Sequence, residues 1–383
     1  MSKEKPIRIL QVIHRMRPGG IQSLVMNMYR SIDRERVQFD FAVRSTQEEH
    51  HDQEIESLGG RIFHLPWKKA NPISPFIYKK ALGKVLRERG PFAAVHSHVG
   101  FYSGFVLPTA KKQNIPIRIA HSHNTSSTDR YSIVLGGWEK LMRNSIMGSA
   151  THLLACNELS AEWLFGHQWQ DDGRVKIVHN AINLADYETL PTDRYIVRER
   201  LKFPQKGPLL GHIGRYDAQK NHRFLIEITA SLLQQIPEAH LLLIGEGNLL
   251  PEIKAFVQEK RIQNNVHFLG VRSDIPYILR SLDLFILPSL YEGLPVVLIE
   301  AQAAGTPCLV SDVVSTEADI NVGLIEYENL NAGLNQWVKT IKKVLATPEV
   351  PWTKRKQALQ RERHDIQSIT SELKKLYAGK HER

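Results

Sequence analysis

Two carboxylates stand close together in the run Leu290-Tyr291-Glu292-Gly293-Leu294-Pro295-Val296-Val297-Leu298-Ile299-Glu300. Proline suits the first position of a helix and glycine a helix stop, so Pro295 and Gly305 bracket one. Glu292 then lies in the loop before that helix and Glu300 inside it, so the two do not share a helical face. Between them Gly293, Leu294, Pro295 and Val296 form a helix end, which favours anions. Glu300 sits among valine, leucine, isoleucine and alanine, where a carboxylate without a partner is costly. Two ribose hydroxyls would satisfy it, and so would an ordinary buried salt bridge. Glu292 reads either as a ligand group or as a surface loop charge.

A second constellation is Gly214-Arg215-Tyr216-Asp217-Ala218-Gln219-Lys220-Asn221. It follows an apolar run with strand character, at the edge where open α/β sheets bind ligands. Arginine can chelate a phosphate through two N–H groups, and lysine adds a compact charge. Gly19-Gly20 also follows an apolar run and precedes a helical one. A helix end can bind an anion there, although two glycines alone read better as a tight turn. Neither GxGxxG nor GxxxxGK occurs, so nicotinamide and Walker A chemistry find no support. His96-Ser97-His98 and His121-Ser122-His123 each end a strand candidate, and alternation puts each pair on one side. No carboxylate or cysteine stands at short spacing to complete a zinc site, so hydrogen-bonded cleft histidines are the better reading and no metal is expected.

These residues need elements to hold them. Short apolar runs at 7–13, 39–43, 61–65, 93–98, 117–121, 152–156 and 176–178 read as strands, separated by helices or loops. The second half repeats the pattern at 209–213, 239–244, 266–269, 284–287 and 307–311, with helices at 223–233, 250–260, 275–281 and 295–304. Alternation of this kind predicts parallel, doubly wound sheets, here in two Rossmann-like domains facing across a cleft. The expected division is 1–183, then 184–352, then a closing segment 353–383 that returns to the first domain. In that segment Leu359, Ile366, Ile369, Leu373 and Leu376 mark one face of a single helix over 353–377.

Composition sets the outer bounds. The chain has 383 residues, of which 42% are hydrophobic and 23% charged, enough for sizeable cores and unlike a disordered or disulfide-stapled chain. Two cysteines, Cys156 and Cys308, each lie in an apolar stretch, as structural thiols in a reducing compartment would. No run is long and apolar enough for a membrane span, and the N-terminus lacks the apolar core of a signal peptide. A cytoplasmic protein is therefore expected. The net charge is +10, and residues 1–183 hold 25 Lys+Arg against 16 Asp+Glu, a difference of +9. A basic half calls for an anionic partner, such as a membrane surface or a phosphorylated acceptor. No nucleic-acid-binding motif appears.

Taken together, the order and spacing resemble the retaining, nucleotide-sugar-dependent glycosyltransferases of the GT-B fold, in the large E-x7-E family (family 4, group 1). The branch it most resembles makes capsule and exopolysaccharide. Glu292 to Glu300 fits E-x7-E, and Gly214-Arg215 with Lys220 fits the family's diphosphate clamp. Gly19-Gly20 looks like its N-terminal glycine loop. Ile177-Val178-His179-Asn180-Ala181-Ile182-Asn183 resembles its hinge pattern, with Ala181 and Asn183 replacing Gly and Asp. Gly245-Glu246-Gly247 and Phe268-Leu269-Gly270 match further turns. The resemblance runs through nearly the whole chain.

That resemblance implies roles. Arg215 and Lys220 would neutralise the donor diphosphate, Glu292 would hold donor-sugar hydroxyls, and Glu300 the ribose. The base would stack near Gly270, Val271 and Arg272. A histidine would face the sugar, and His121 is preferred to His123, with His98 and Asn180 as further cleft residues. The family implies no cofactor and no metal. Its retention of configuration is explained by front-face attack within an ion-pair-like transition state. The implied partners are a nucleotide-sugar, UDP by family habit, and a glycan or polyprenyl-linked acceptor, at the inner membrane face. Two rivals remain at the level of sequence. One is a UDP-sugar 2-epimerase, which lacks this E-x7-E; the other is a degenerate transferase kept as a non-catalytic subunit. Release of UDP with sugar transfer separates all three.

Overall fold

The computed structural model describes residues 5–17, 19–45, 47–67, 73–124 and 133–379. Residues 1–4 of the segment inspected for a signal peptide, Pro18 of the glycine loop and residues 380–383 of the closing segment lie outside the described residues. The chain forms two compact units, one of Met1–Asn180 with Ile366–Arg383, the other of Ala181–Asp365.

The first unit carries strands β1 (Ile7–Ile13), β2 (Val37–Val43), β3 (Ile62–His64), β4 (Ala94–Ser97), β5 (Ile117–Ser122), β6 (His152–Ala155) and β7 (Val175–Ile177). They form a seven-stranded sheet in the order β3-β2-β1-β4-β5-β6-β7, with parallel pairing throughout. Burial on both faces explains why the central strands read as continuous apolar runs rather than alternating ones. The order reverses between β1 and β4, and a reversal opens a crevice at the carboxyl ends of the strands. Gly19-Gly20 follows β1 there, and His98 follows β4.

The second unit repeats the plan with β8 (Leu209–Ile213), β9 (His240–Ile244), β10 (Val266–Gly270), β11 (Leu284–Leu287), β12 (Cys308–Ser311) and β13 (Ile325–Glu328). Its six-stranded parallel sheet has the order β10-β9-β8-β11-β12-β13. The reversal falls between β8 and β11, so the loops after those strands share one crevice. β13 has no apolar run to announce it. It is a half-buried edge strand, Ile-Glu-Tyr-Glu, held by its ladder to β12. Both cysteines are buried, and they form no disulfide with each other. Among the described residues no helix is long and apolar enough to cross a membrane.

The closing segment is two helices, Trp352–Arg361 and Ile366–Tyr377, where the sequence predicts one. Arg363 takes a left-handed φ of 60°, and the His364 carbonyl accepts a hydrogen bond from the Ile182 amide at 3.0 Å. The first helix belongs to the second unit, and the last helix packs on the helix Gly20–Ser31 of the first. Its buried face is Ile366, Ile369, Thr370, Leu373 and Tyr377. Tyr377, rather than Leu376, completes it, because two steps of four from Ile369 lead to 373 and then 377.

Candidate active site

Site residues of the second unit gather at the crevice between β8 and β11. The chain leaves β8 at Gly214, whose amide donates to the Ile244 carbonyl at 3.0 Å, and the Gly245 amide donates to Gly270 at 2.9 Å. Three strand ends are thus laced together. Gly245 has φ +139°, and a Cβ there would lie 2.1 Å from the Gly214 carbonyl oxygen, so only glycine permits this approach. Past the lacing, the Asp217 side chain caps a short 3-10 turn, Ala218–Lys220, by accepting from the Lys220 amide. That turn aims Lys220 across the crevice.

Lys220 Nζ donates to Glu292 Oε1 at 2.6 Å, with the two side chains only 13% and 7% exposed. Gln219 supports the loop after β11, since its Nε2 donates to the Tyr291 carbonyl at 2.9 Å and to Glu292 Oε2 at 3.3 Å. The Leu290 amide returns a bond to the Gln219 carbonyl at 2.8 Å. Asn221, in the left-handed region, donates to Pro288 at 3.1 Å. A cation and a carboxylate are therefore held side by side at a nearly dry sheet edge. Arg215, by contrast, is 61% exposed at its side chain and pairs with Asp217 at 3.2 Å.

The helix after Glu292 runs Val296–Ala304, with Pro295 as its N-cap and Gly305, left-handed, as its stop. Pro295 stands one position earlier than the sequence predicts. Gly293 is half-buried, and Leu294, Pro295 and Val296 are buried. Glu300 lies inside this helix, half-buried, with Tyr187 close to it. Desolvation, with repulsion from Asp186 second, pushes its carboxyl from 4.5 up to about 7. Gly270 ends β10 with φ +65° and open space where a Cβ would be. Beyond Val271, Arg272 makes a two-pronged pair with Asp274, at 2.8 and 2.5 Å.

The remaining candidates lie in the first unit. Gly19 caps the helix Gly20–Ser31, and Asn180 is buried at the unit's end. The histidines form one cluster. His96 Nε2 lies 3.2 Å from His121 Nδ1, and His98 Nδ1 lies 2.9 Å from His123 Nε2. Burial lowers all four well below the ordinary imidazole value, His123 to about 3. Ring nitrogens of His96, His98 and His121 lie within 4.8 Å of one another, a geometry that a metal ion could use. Both nitrogens of His96 and of His98, however, already face hydrogen-bond partners.

Sequence reasoning missed three residues here. Gln11 and Tyr377 join the histidines by hydrogen bonds, and no local signal marks a tyrosine 281 positions from His96. Arg44, at the end of β2, has its guanidinium 4.0 Å from the Trp67 ring centre and 4.2 Å from that of Tyr102. Aromatic faces, whose quadrupoles attract a cation, hold it there.

Two family profiles match this chain. "Glycosyltransferase Family 4" covers residues 18–186 and "Glycosyl transferases group 1" covers 193–356. EpsF of Bacillus subtilis (strain 168), named as a glycosyltransferase, is 34% identical over 97% of this chain and 96% of its own length. The UDP-Gal:alpha-D-GlcNAc-diphosphoundecaprenol alpha-1,3-galactosyltransferase of Escherichia coli is 25% identical over 69% of this chain and 70% of its own. The capsular polysaccharide biosynthesis glycosyltransferase CapH of Staphylococcus aureus is 24% identical over 98% and 99%. Among solved structures, Anabaena HepE in complex with UDP and glucose superposes with a TM-score of 0.75 at 17% identity, covering 97% of this chain and 99% of that one. Two parallel Rossmann-like sheets and this likeness make the fold GT-B, and the chain belongs to the group 1 glycosyltransferases, with a family 4 N-terminal domain.

Proposed function

We propose that this transferase moves a sugar from a UDP-sugar to a polysaccharide or lipid-linked acceptor, with retention of configuration, in capsule or exopolysaccharide synthesis. The bond from sugar C1 to the diphosphate oxygen breaks, the acceptor oxygen bonds to C1, and the acceptor proton leaves with the diphosphate. Charge develops on the leaving diphosphate, so preorganised cations there accelerate the step. Lys220 meets that charge, Arg215 joins it from the solvent side, and the amides at the start of the helix Val296–Ala304 add to it. Glu292 orients donor-sugar hydroxyls, Glu300 accepts from the ribose, and Gly270, Val271 and Arg272 border the base. His121 faces the sugar. No metal is needed, because these cations and the helix end do that work.

The observation that carries this reading is the Lys220–Glu292 pair, nearly dry and at the β8/β11 reversal. The named activity of the Escherichia coli relative supports a UDP-sugar donor and a diphosphate-lipid acceptor, and that of CapH supports capsule synthesis. The basic first half suits such an acceptor at the cytoplasmic face of a membrane, with the protein bound peripherally.

The test is a thermal-shift screen of the protein against UDP-sugars, followed by assay of UDP release with and without a diphosphate-lipid acceptor. A bound donor raises the apparent melting temperature by mass action. Stabilisation by one UDP-sugar and acceptor-dependent UDP release are expected. Stabilisation by no nucleotide-sugar, or release that Lys220→Ala leaves intact, overturns the reading.

A further inference from the structure

We propose that Tyr377 is a positioning residue. With Gln11 it fixes the tautomers of the four clustered histidines, so that His121 ends in an N–H donor and His123 in a bare ring nitrogen. The two ends together form a subsite for one alcohol hydroxyl.

The directions follow bond by bond. Gln11 Nε2 donates to the Tyr377 hydroxyl at 3.4 Å. That hydroxyl has one proton of its own, and His96 Nδ1 lies 2.7 Å away, so Tyr377 donates there. A neutral imidazole that accepts at Nδ1 carries its proton on Nε2. His96 Nε2 therefore donates to His121 Nδ1 at 3.2 Å. His121 must then hold its proton on Nε2, and this atom is buried with no hydrogen-bond partner among the described residues.

The other branch runs from the same glutamine. Gln11 Oε1 can only accept, so His98 Nε2 donates to it at 2.9 Å. His98 Nδ1 is bare and accepts from His123 Nε2 at 2.9 Å. His123 is left with a bare Nδ1, also buried and without a partner among the described residues. Burial holds all four rings neutral, which this chain of donations requires.

The two unpartnered ends thus have opposite polarity, on rings whose centres lie 4.1 Å apart. An alcohol hydroxyl accepts one hydrogen bond and donates one. An anion's oxygen only accepts, and an ammonium only donates, so neither satisfies both ends. That this hydroxyl belongs to a sugar rests on the proposed reading of His121. A metal on His96, His98 and His121 is the competing use of the cluster, and it would have to displace bonds that His96 and His98 already make.

The tautomers can be read by long-range 1H–15N NMR on the full chain with labelled histidine, assigned through single histidine variants. All four rings should carry their proton on Nε2. Tyr377→Phe keeps the ring contact with Phe39, whose centre is 5.9 Å away, so the fold is retained. It should turn His96 and His121 into tautomer mixtures while His98 and His123 stay fixed. Gln11→Leu should release His98 and His123 instead. Loss of the lock should lower kcat/KM by about tenfold, the scale of one buried hydrogen bond. Nδ1–H at any of the four in the wild type, or unchanged His96 and His121 in Tyr377→Phe, overturns the lock. Stoichiometric zinc that shifts these resonances also overturns it. Released tautomers with unchanged kcat/KM uphold the lock and overturn the hydroxyl subsite, leaving the donor-site reading to its own assay.

Discussion

Lys220 and Glu292 stand 72 positions apart in the chain, yet their charged atoms lie 2.6 Å apart. Each follows a strand bordering the same reversal of strand order, and that shared origin brings them together. The pair is nearly enclosed, so each partner stabilises the other in a setting where a lone charge is costly. Coupling measured by a double-mutant cycle with Lys220→Met and Glu292→Gln should reach about 1–3 kcal/mol in unfolding free energy. A coupling near zero would show that solvent, not the partner, compensates each charge.

The same two residues should separate in kinetics. Lys220→Ala removes a cation from where charge develops, so turnover should fall by on the order of 100-fold or more. Glu292→Gln should also lower turnover while leaving affinity for free UDP nearly intact, because UDP has no donor sugar to hold. Calorimetry with UDP beside steady-state kinetics distinguishes these outcomes. Loss of UDP binding in Glu292→Gln would reassign that carboxylate.

Glu300 carries a pH signature. Its carboxyl is raised from 4.5 to about 7 in the folded chain, chiefly by desolvation. Between those values the folded state holds a proton that the unfolded state has released, so stability falls as pH rises through this window and is level above it. Glu300→Gln abolishes the dependence. Relative to wild type, the variant should be more stable by up to about 3 kcal/mol at pH 8 and equal at pH 4. UDP affinity should move the other way, rising with pH through about 7 in the wild type as the carboxylate forms, and staying flat and weak in the variant. Denaturant titrations and calorimetry across this range check both. UDP binding unchanged in Glu300→Gln would remove the ribose role.

Arg198 is wholly buried, with Nε donating to the Ser281 carbonyl at 2.7 Å and Nη2 to Asp283 Oδ2 at 2.5 Å. Asp283 Oδ2 also accepts from the Leu209 amide at 2.7 Å, so the arginine anchors the start of β8. Arg198→Met should destabilise by about 1.5–3 kcal/mol, because Asp283 loses one charged hydrogen bond but keeps Arg194 Nη1 at 3.0 Å. Chemical denaturation measures this. A loss below about 1 kcal/mol would mean that water replaces the guanidinium there.

The basic excess of residues 1–183 leads to a surface prediction. The protein should sediment with vesicles containing anionic lipid and not with neutral ones. Binding should weaken as salt rises, since screening acts over about 8 Å at physiological ionic strength. Equal binding to both vesicle types would remove the electrostatic basis for a membrane role.

Much of this protein was written locally. Apolar runs such as Ile7–Ile13 and Leu284–Leu287 announce buried parallel strands because both faces are covered. Gly305 marks the end of its helix because glycine tolerates the left-handed turn at little cost. The E-x7-E spacing and the Gly214-to-Asn221 loop are likewise short-range patterns, legible without coordinates. β13 was not legible, because an edge strand with glutamates at alternate positions acquires its identity from the ladder to β12. The division of the closing segment was hidden as well, since the His364 carbonyl answers an amide from Ile182, far back in the chain. Pairings that join distant positions, Lys220 with Glu292 and Tyr377 with His96, depend on strand order and helix docking. Periodicity in sequence reports which face of an element is buried; it carries no information about which distant side chain will meet that face, and only the packed tertiary structure decides that.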